Sequence, residues 1–365
     1  MAGRPLKFSD SRPRPRPRIL TGDTPTGRLH LGHYVGSVKR RIELQDSHDC
    51  YIIIANMHAF TTRADQPDEI RADTIEIVRD YIAMGLDPQK ATIFLQSEVP
   101  AIAELTFLFA MLLPFNRVMR NPTLKTEIDT KGLGDTYPFG FPLYSVGQTA
   151  DILAFRPVAV PVGEDQVPHL EMTREVARRF NQMYCKVSDQ AEDEDHVALG
   201  GVFPIPYADV GPVGRLVGTD GVNKMSKSLN NAIFISDSAK EVKKKMGKLY
   251  TGRQNPTDPG DTNNALFQYV RTFIPDEKRV KELERAYAAG DNIGDGHIKV
   301  EVADAINALL EPMRERRAKY DGKDDLIIDI LRDGTTRANA LAEETLALAK
   351  EAAGLGFWRR TVEIA

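Results

Sequence analysis

The sequence predicts an α/β protein: a Rossmann-like parallel sheet forming a catalytic domain, followed by a C-terminal α-helical domain. Three observations carry this expectation. Apolar runs of strand length alternate with helix-period stretches from residue 19, a glycine-rich turn follows the first run, and the strand signal fades after about residue 237. The 365 residues suffice for two domains of roughly 150 residues each, and 42% hydrophobic content allows a sizeable core.

In chain order, ILTG (19–22) reads as a strand entering the turn, and YIIIAN (51–56), ATIFLQ (91–96) and VAVPVG (158–163) read as buried strands. Helix-period stretches fall at 33–48, 67–84, 101–112 and 145–155, and HLEMTREVARRF (169–180) follows the last strand. Such alternation implies a parallel sheet with helices on both faces and ligands beyond the carboxyl ends of the strands. Beyond it, stretches 238–250, 262–274, 297–320 and 324–353 are helix-period and rich in Ala, Leu, Glu and Arg. The expected divisions are therefore 1–18, 19–236 and 237–365, with the last helix a candidate to pack back on the first domain. There is no internal repeat.

RPRPRPR (12–18) alternates Arg with Pro, which denies it a regular backbone ladder and predicts an extended, polyproline-like basic tail. A solvated, disordered terminus is the leading reading and contact with RNA phosphates the alternative. The prolines argue against an amphipathic transit peptide. No run of about 18 apolar residues is present, so no membrane span is expected, and without a signal-peptide centre the reading is soluble and cytoplasmic. Cys50 and Cys185 are too few for a disulfide framework, and no His/Cys metal cluster is visible. A net charge of −4 argues against coating nucleic acid by bulk charge, so RNA contact must be local.

Four stretches carry chemistry. In TPTGRLHLGHYVG (24–36), Gly27, Gly32 and Gly36 permit close backbone approach, and His30 and His33 stand three apart where a helix opens. Unpaired N–H groups at a helix start attract phosphate, and two imidazoles add donors, so a nucleoside triphosphate fits. Two histidines that happen to lie near a glycine turn are the plain alternative. KMSKS (224–228) offers Lys224, Met225, Ser226, Lys227 and Ser228 in a loop; alone it reads as a solvated surface run. Gly163, Glu164, Asp165 and Gln166 open the helix after the fourth apolar run, where acidic residues are commonly caps. In YSVGQTAD (144–151), Tyr144, Gln148 and Asp151 share one helix face, either toward solvent or lining a pocket.

Two signatures in this order, the His-X-Gly-His turn at residues 30–33 and KMSKS at 224–228, resemble the class I aminoacyl-tRNA synthetases. Gly-Glu-Asp-Gln before HLEMTRE, with QSEVPA (96–101) and NMHAFTT (56–62), is similar to the bacterial-type tryptophanyl-tRNA synthetases from about residue 19 to about residue 355. That resemblance implies a tryptophan-tRNA ligase that forms tryptophanyl-adenylate from L-tryptophan and ATP, then charges tRNA(Trp). It implies that His30 and His33 contact the triphosphate while Lys224 and Lys227 close over it, with Gly22, Thr24, Thr26, Gly32, Gly163, Glu164, Asp165, Met225, Ser226 and Ser228 completing the ATP site. It further implies Tyr144 and Gln166 on the substrate α-amino group and Asp151 on the indole N–H. Leu20, Gly22, His58 and Gln148 are expected at the amino-acid pocket, though a core role for His58 is equally open. Mg2+ is expected with the ATP phosphates, without a protein ligand.

The tyrosyl branch is the main rival. It has a similar helix, but there the first strand supplies a Tyr where this chain has Leu20. A non-catalytic paralogue binding RNA or tryptophan is the third reading, against which the intact histidines and lysines weigh. A smaller adenylyltransferase leaves the helical part unexplained. Gln148 and Thr149 depart from the commonest bacterial pattern of Met and Ala, and His33 stands where many relatives have Asn. Gln148 is left open between the substrate and Asp151. The resemblance also implies a homodimer and an anticodon-reading helical domain, to which KEVKKKMGK (240–248) and RERRAK (314–319) are candidate contributors alongside their reading as solvated faces. No editing insertion separates the two signatures.

Overall fold

The computed structural model describes residues 16–130, 132–134, 136–163, 166–210, 216–253, 255, 257–358 and 360–364. Among them, five parallel strands form one sheet: β1 (Arg18–Asp23), β2 (Asp49–Ile54), β3 (Ala91–Leu95), β4 (Ala159–Val162) and β5 (Tyr207–Val210), in the order β3-β2-β1-β4-β5. The order reverses between β1 and β4, which opens a crevice at their carboxyl ends.

The helices begin with α1 (Leu31–His33), a π-helical turn (Tyr34–Val38) and α2 (Lys39–Leu44), so the stretch predicted as one helix over 33–48 is interrupted. After them come α3 (Asn56–Arg63), α4 (Pro67–Met84), α5 (Pro100–Ala110), α6 (Phe115–Met119), α7 (Pro122–Thr130), α8 (Gly140–Leu153) and α9 (Val167–Cys185). The later part holds α10 (Ala239–Gly247), α11 (Ala265–Phe273), α12 (Glu277–Ala289), α13 (Asp295–Ala318) and α14 (Asp324–Ala352). Local chemistry sets the α4 boundaries: Pro67 starts it, Asp68 and Glu69 face the positive end of its dipole, and Gly85 at φ 118° ends it.

Alternate β1 residues feed two cores. Ile19 joins Ile52, Ile77, Ile93 and residues of the late helices, including Leu310 and Leu331. Leu20 joins Tyr51, Phe94, Phe109, Phe141 and Phe180 on the other face. The late helices thus share a core with the sheet. α13 packs along α4, and α14 lies so close to β3 that a Cβ on Gly334 would sit 1.9 Å from the Ile93 carbonyl oxygen.

Several expectations are corrected. The tail does not reach residue 18: the Pro17 carbonyl accepts from the Asp49 amide at 3.0 Å, and Arg18 begins β1 with its guanidinium on Asp49 and the Phe155 carbonyl. Residues 1–15 lie outside the described residues. The second strand ends at Ile54, and Asn56 opens α3, a helix not foreseen. β5 was also not foreseen, because its four residues are partly exposed and lack an apolar run. In α12, charge hides the period, while Asp276 caps its first turn by accepting from Lys278 N and Arg279 N.

Candidate active site

The first signature lies at the carboxyl end of β1. Gly22 is required by space: a Cβ there would sit 2.0 Å from the Ile53 carbonyl oxygen on β2. Gly27 turns the chain at φ 91°, a left-handed conformation. His30 and His33 follow with ring centroids 3.8 Å apart. The His30 backbone N–H donates to His33 Nδ1 at 3.2 Å, which leaves Nε2 of His33 as the protonated nitrogen when the ring is neutral. Burial first, then the charges of His33 and Lys224, pushes His30 down to about 3. Burial lowers His33 as well, against the opposing pull of Asp23. Burial therefore favours the neutral form of both rings. Among the described residues, Nδ1 of His30 is buried without a hydrogen-bond partner.

Beneath this turn, Asp23 accepts from Arg41 at 2.7 Å and from the Tyr81 hydroxyl. Burial raises the Asp23 carboxyl, but Arg41, with help from His33 and Tyr81, holds it at about 2. The end of β1 is anchored by a charged pair rather than by apolar packing alone.

The second signature is pinned against the first. Met225 is buried and its amide donates to the Leu216 carbonyl at 3.0 Å. The buried Asn231 side chain accepts from Ser226 N at 2.7 Å and donates to the Lys224 carbonyl at 3.2 Å and to Asp220 at 2.9 Å. Ser226 and Ser228 face each other at 2.9 Å. Lys227 Nζ donates to the Thr26 carbonyl at 3.3 Å, so the two loops meet at the mouth of the crevice. Thr24 is exposed between them, and a Cβ on Gly32 would touch the His30 ring at 3.0 Å. Glu164 and Asp165 lie outside the described residues, while Gly163 follows β4 and its carbonyl accepts from Gln166 N at the start of α9.

A second group gathers on α8. Asp151 is 3% exposed, and the Gln96 amide reaches its two oxygens at 2.8 and 2.9 Å. His58 Nε2 stands 3.5 Å from Oδ2. Burial pushes the Asp151 carboxyl up to about 7 against the pull of Gln96, and burial lowers His58 to about 4 despite nearby Glu127. Gly147 keeps α8 close to that ring, since a Cβ there would lie 3.2 Å from His58 Nε2. One turn earlier, the Tyr144 hydroxyl donates to Glu127 at 3.1 Å and lies 3.4 Å from His169 Nε2.

Between them, Gln148 donates to Gln166 Oε1 at 3.1 Å. Within the protein, the partner of Gln148 is Gln166 rather than Asp151. Thr149 faces inward and accepts from Thr173. Leu20 is buried in the apolar cluster that also holds Val146 and Ile152 of α8.

Sequence reasoning missed Gln96, Glu127, Asn231 and the Asp23–Arg41 pair. Gln96 was findable, since it stands directly after β3 at the carboxyl edge where parallel sheets bind ligands. The others carry no local signal.

The family model described as tRNA synthetases class I (W and Y) matches residues 12–311. A tryptophan–tRNA ligase from Treponema pallidum is 43% identical over 343 residues, covering 93% of this chain and 97% of the relative. One from Clostridium longisporum is 41% identical over 345 residues, with the same coverage of 93% and 97%. Among solved structures, tryptophanyl-tRNA synthetase from Campylobacter jejuni, complexed with ADP and tryptophan, is similar at a TM-score of 0.77 and 32% identity, covering 93% of this chain and 100% of that one. A tyrosyl-tRNA synthetase from Archaeoglobus fulgidus shares the fold alone, at 22% identity and a TM-score of 0.61 over 83% of this chain and 90% of that one.

Proposed function

The chain belongs to the class I tRNA synthetases, in their tryptophanyl branch, and from that premise we propose how its residues carry the reaction. It is an ATP-dependent tryptophan–tRNA ligase. A tryptophan carboxylate oxygen forms a bond to the α-phosphorus of ATP as the bond to pyrophosphate breaks. A terminal ribose hydroxyl of tRNA(Trp) then attacks the carbonyl carbon of the adenylate, and AMP leaves.

The demand on the protein is to hold two anions together and stabilise charge growing on phosphoryl oxygens. His30 and His33 serve as neutral donors to the triphosphate, and Lys224 and Lys227 supply positive charge to the departing pyrophosphate. Because the histidines carry no charge at neutral pH, they do not repel the lysines that close over the same phosphates. Gly22, Thr24, Thr26, Gly32, Gly163, Met225, Ser226 and Ser228 shape this site. Each lost donor is expected to cost on the order of 3 kcal/mol in the transition state. Magnesium enters as part of the MgATP substrate, carried by phosphate oxygens and water.

The amino-acid end is read from Asp151, the single observation that carries the assignment of that pocket. A buried carboxylate accepts the indole N–H, and a substrate lacking that donor leaves it unpaired. Tyr144 and Gln166 take the α-amino group, Gln148 orients Gln166, and Leu20 and His58 wall the pocket.

The exposed lysines of α10 and its C-cap, including Lys240, Lys244 and Lys248, are the proposed tRNA contact in residues 237–365. The 314–319 cluster serves less well, because Arg314, Arg316 and Arg317 bond to the protein itself. We propose a homodimer through the apolar run Phe107, Met111 and Phe115, which are 69%, 65% and 62% exposed. No helix among the described residues is long and apolar enough to cross a membrane, and a cytoplasmic site of action is proposed. The test is amino-acid-dependent exchange of pyrophosphate into ATP with tryptophan, tyrosine and phenylalanine. Exchange with tryptophan alone is expected; exchange with tyrosine alone overturns the pocket reading.

A further inference from the structure

The backbone around His30 is held from two sides by groups far away in sequence. On one side, the Leu29 carbonyl accepts from Ile235 N at 3.0 Å and Leu31 N donates to the Ile233 carbonyl at 2.9 Å. On the other, Leu29 N donates to Asp80 Oδ2 of α4 at 2.7 Å. Asp80 is 0% exposed. Its second oxygen accepts from Arg317 Nε of α13 at 2.9 Å, and the same guanidinium also reaches Glu76 and Asp321.

The last turns of α13 hold the opposite side as well. Arg314 donates to the Asp237 carbonyl at 2.8 Å, and Asp237 Oδ2 accepts from Phe234 N at 2.8 Å. Arg316 donates to the Ala83 carbonyl at the end of α4 at 2.7 Å. One helix end therefore bonds to both supports of the segment Leu29–Leu31, whose middle residue is His30. A buried carboxylate that loses its cation becomes an unpaired charge or must take up a proton, so loss of Arg317 weakens the grip of Asp80 on the Leu29 amide.

We propose that Asp80 and Arg317 are positioning residues for the ATP step: together they fix the backbone that aims His30 and His33, although neither touches substrate. The inference rests on the reading of those histidines as the triphosphate donors. It makes α13 a determinant of adenylate formation before any tRNA is bound.

The test uses the full chain in tryptophan-dependent pyrophosphate exchange, with rates expressed per active site titrated by the burst of adenylate formation, so that unfolded protein is not counted. Arg317→Gln is expected to lower kcat at least tenfold and raise the ATP KM at least threefold, with the tryptophan KM within twofold. Arg317→Lys keeps the charge but not the fork, and is expected to raise the ATP KM about threefold; it serves as the reading if Arg317→Gln does not fold. In an Asp80→Asn background the buried charge is gone, and Arg317→Gln is expected to cost less than threefold. Unchanged ATP parameters per titrated site, with only a lower Tm, overturn the proposal, as does an undiminished effect in the Asp80→Asn background. A His30→Ala variant with wild-type exchange overturns the site reading and this inference with it. Loss of exchange in His30→Ala, with normal ATP parameters in Arg317→Gln, overturns this inference alone.

Discussion

Asp151→Asn removes a charge while keeping the shape of the side chain. Burial raises the Asp151 carboxyl from 3.8 to about 7, a difference of about 4 kcal/mol at about 1.4 kcal/mol per pKa unit. The sign follows from linkage. Between those two values the folded protein binds a proton that the unfolded chain does not, so stability is fully present below about pH 4 and is lost as pH rises through 7. The Asn side chain does not titrate. A fixed difference in bonding to Gln96 is the same at every pH and drops out, so the variant should gain about 4 kcal/mol relative to the parent between pH 4 and pH 8. Urea unfolding of the free protein at several pH values measures this directly. Parallel profiles for the two proteins refute the reasoning, because they mean that the carboxylate is solvated or fully compensated. In pyrophosphate exchange, the same substitution should raise the tryptophan KM at least about tenfold and leave the ATP KM within about twofold, since a site built to pair a donor discriminates strongly. Equal losses of both would make Asp151 a structural residue.

Three further outcomes follow from the same geometry. His30 sits near 3 in the fold and 6.5 when exposed, so its contribution to stability is lost as pH falls from about 6.5 toward 3; His30→Gln should flatten that part of a thermal unfolding profile while lowering kcat for exchange by about 100-fold. Gly22→Ala drives a Cβ to within 2.0 Å of the Ile53 carbonyl oxygen, and the forced separation of β1 from β2 should cost about 2–3 kcal/mol in chemical denaturation. Asn231→Ala removes the side chain that ties Ser226, Lys224 and Asp220 together; kcat for exchange should fall about tenfold with the tryptophan KM unchanged, and a matching rise in tryptophan KM would show that the loop also shapes the amino-acid end.

What was legible beforehand followed from the range of the interaction. α4 was readable because its caps and its apolar period lie within the helix itself. The first four strands were readable as continuous apolar runs buried on both faces, whereas β5 is a short outer strand with a polar, half-exposed pattern. The same contrast runs through the site. The two signatures are local strings, but the partners that tune them are not: Gln96 meets Asp151 across 55 residues, and Arg317 meets Asp80 across 237. Gln148 was visible as an oddity on its helix face, yet its partner Gln166 stands on another helix start and could be named only from the fold. The basic run at 314–319 was read from charge alone, and three of its arginines turn inward onto carbonyls and carboxylates.

The seating of α14 on β3 has a bearing on how the chain is born. β3 is an outer strand, its Leu95 amide is taken by the Thr335 hydroxyl, and Gly334 lies against Ile93. The two partners are separated by 240 residues, so at about 5–20 residues per second the ribosome leaves this margin of the sheet without its helix for on the order of tens of seconds. An uncovered strand edge is a template for pairing with other chains. The nascent protein therefore carries a hazard of misassembly along β3 until α14 has been made and seated against it.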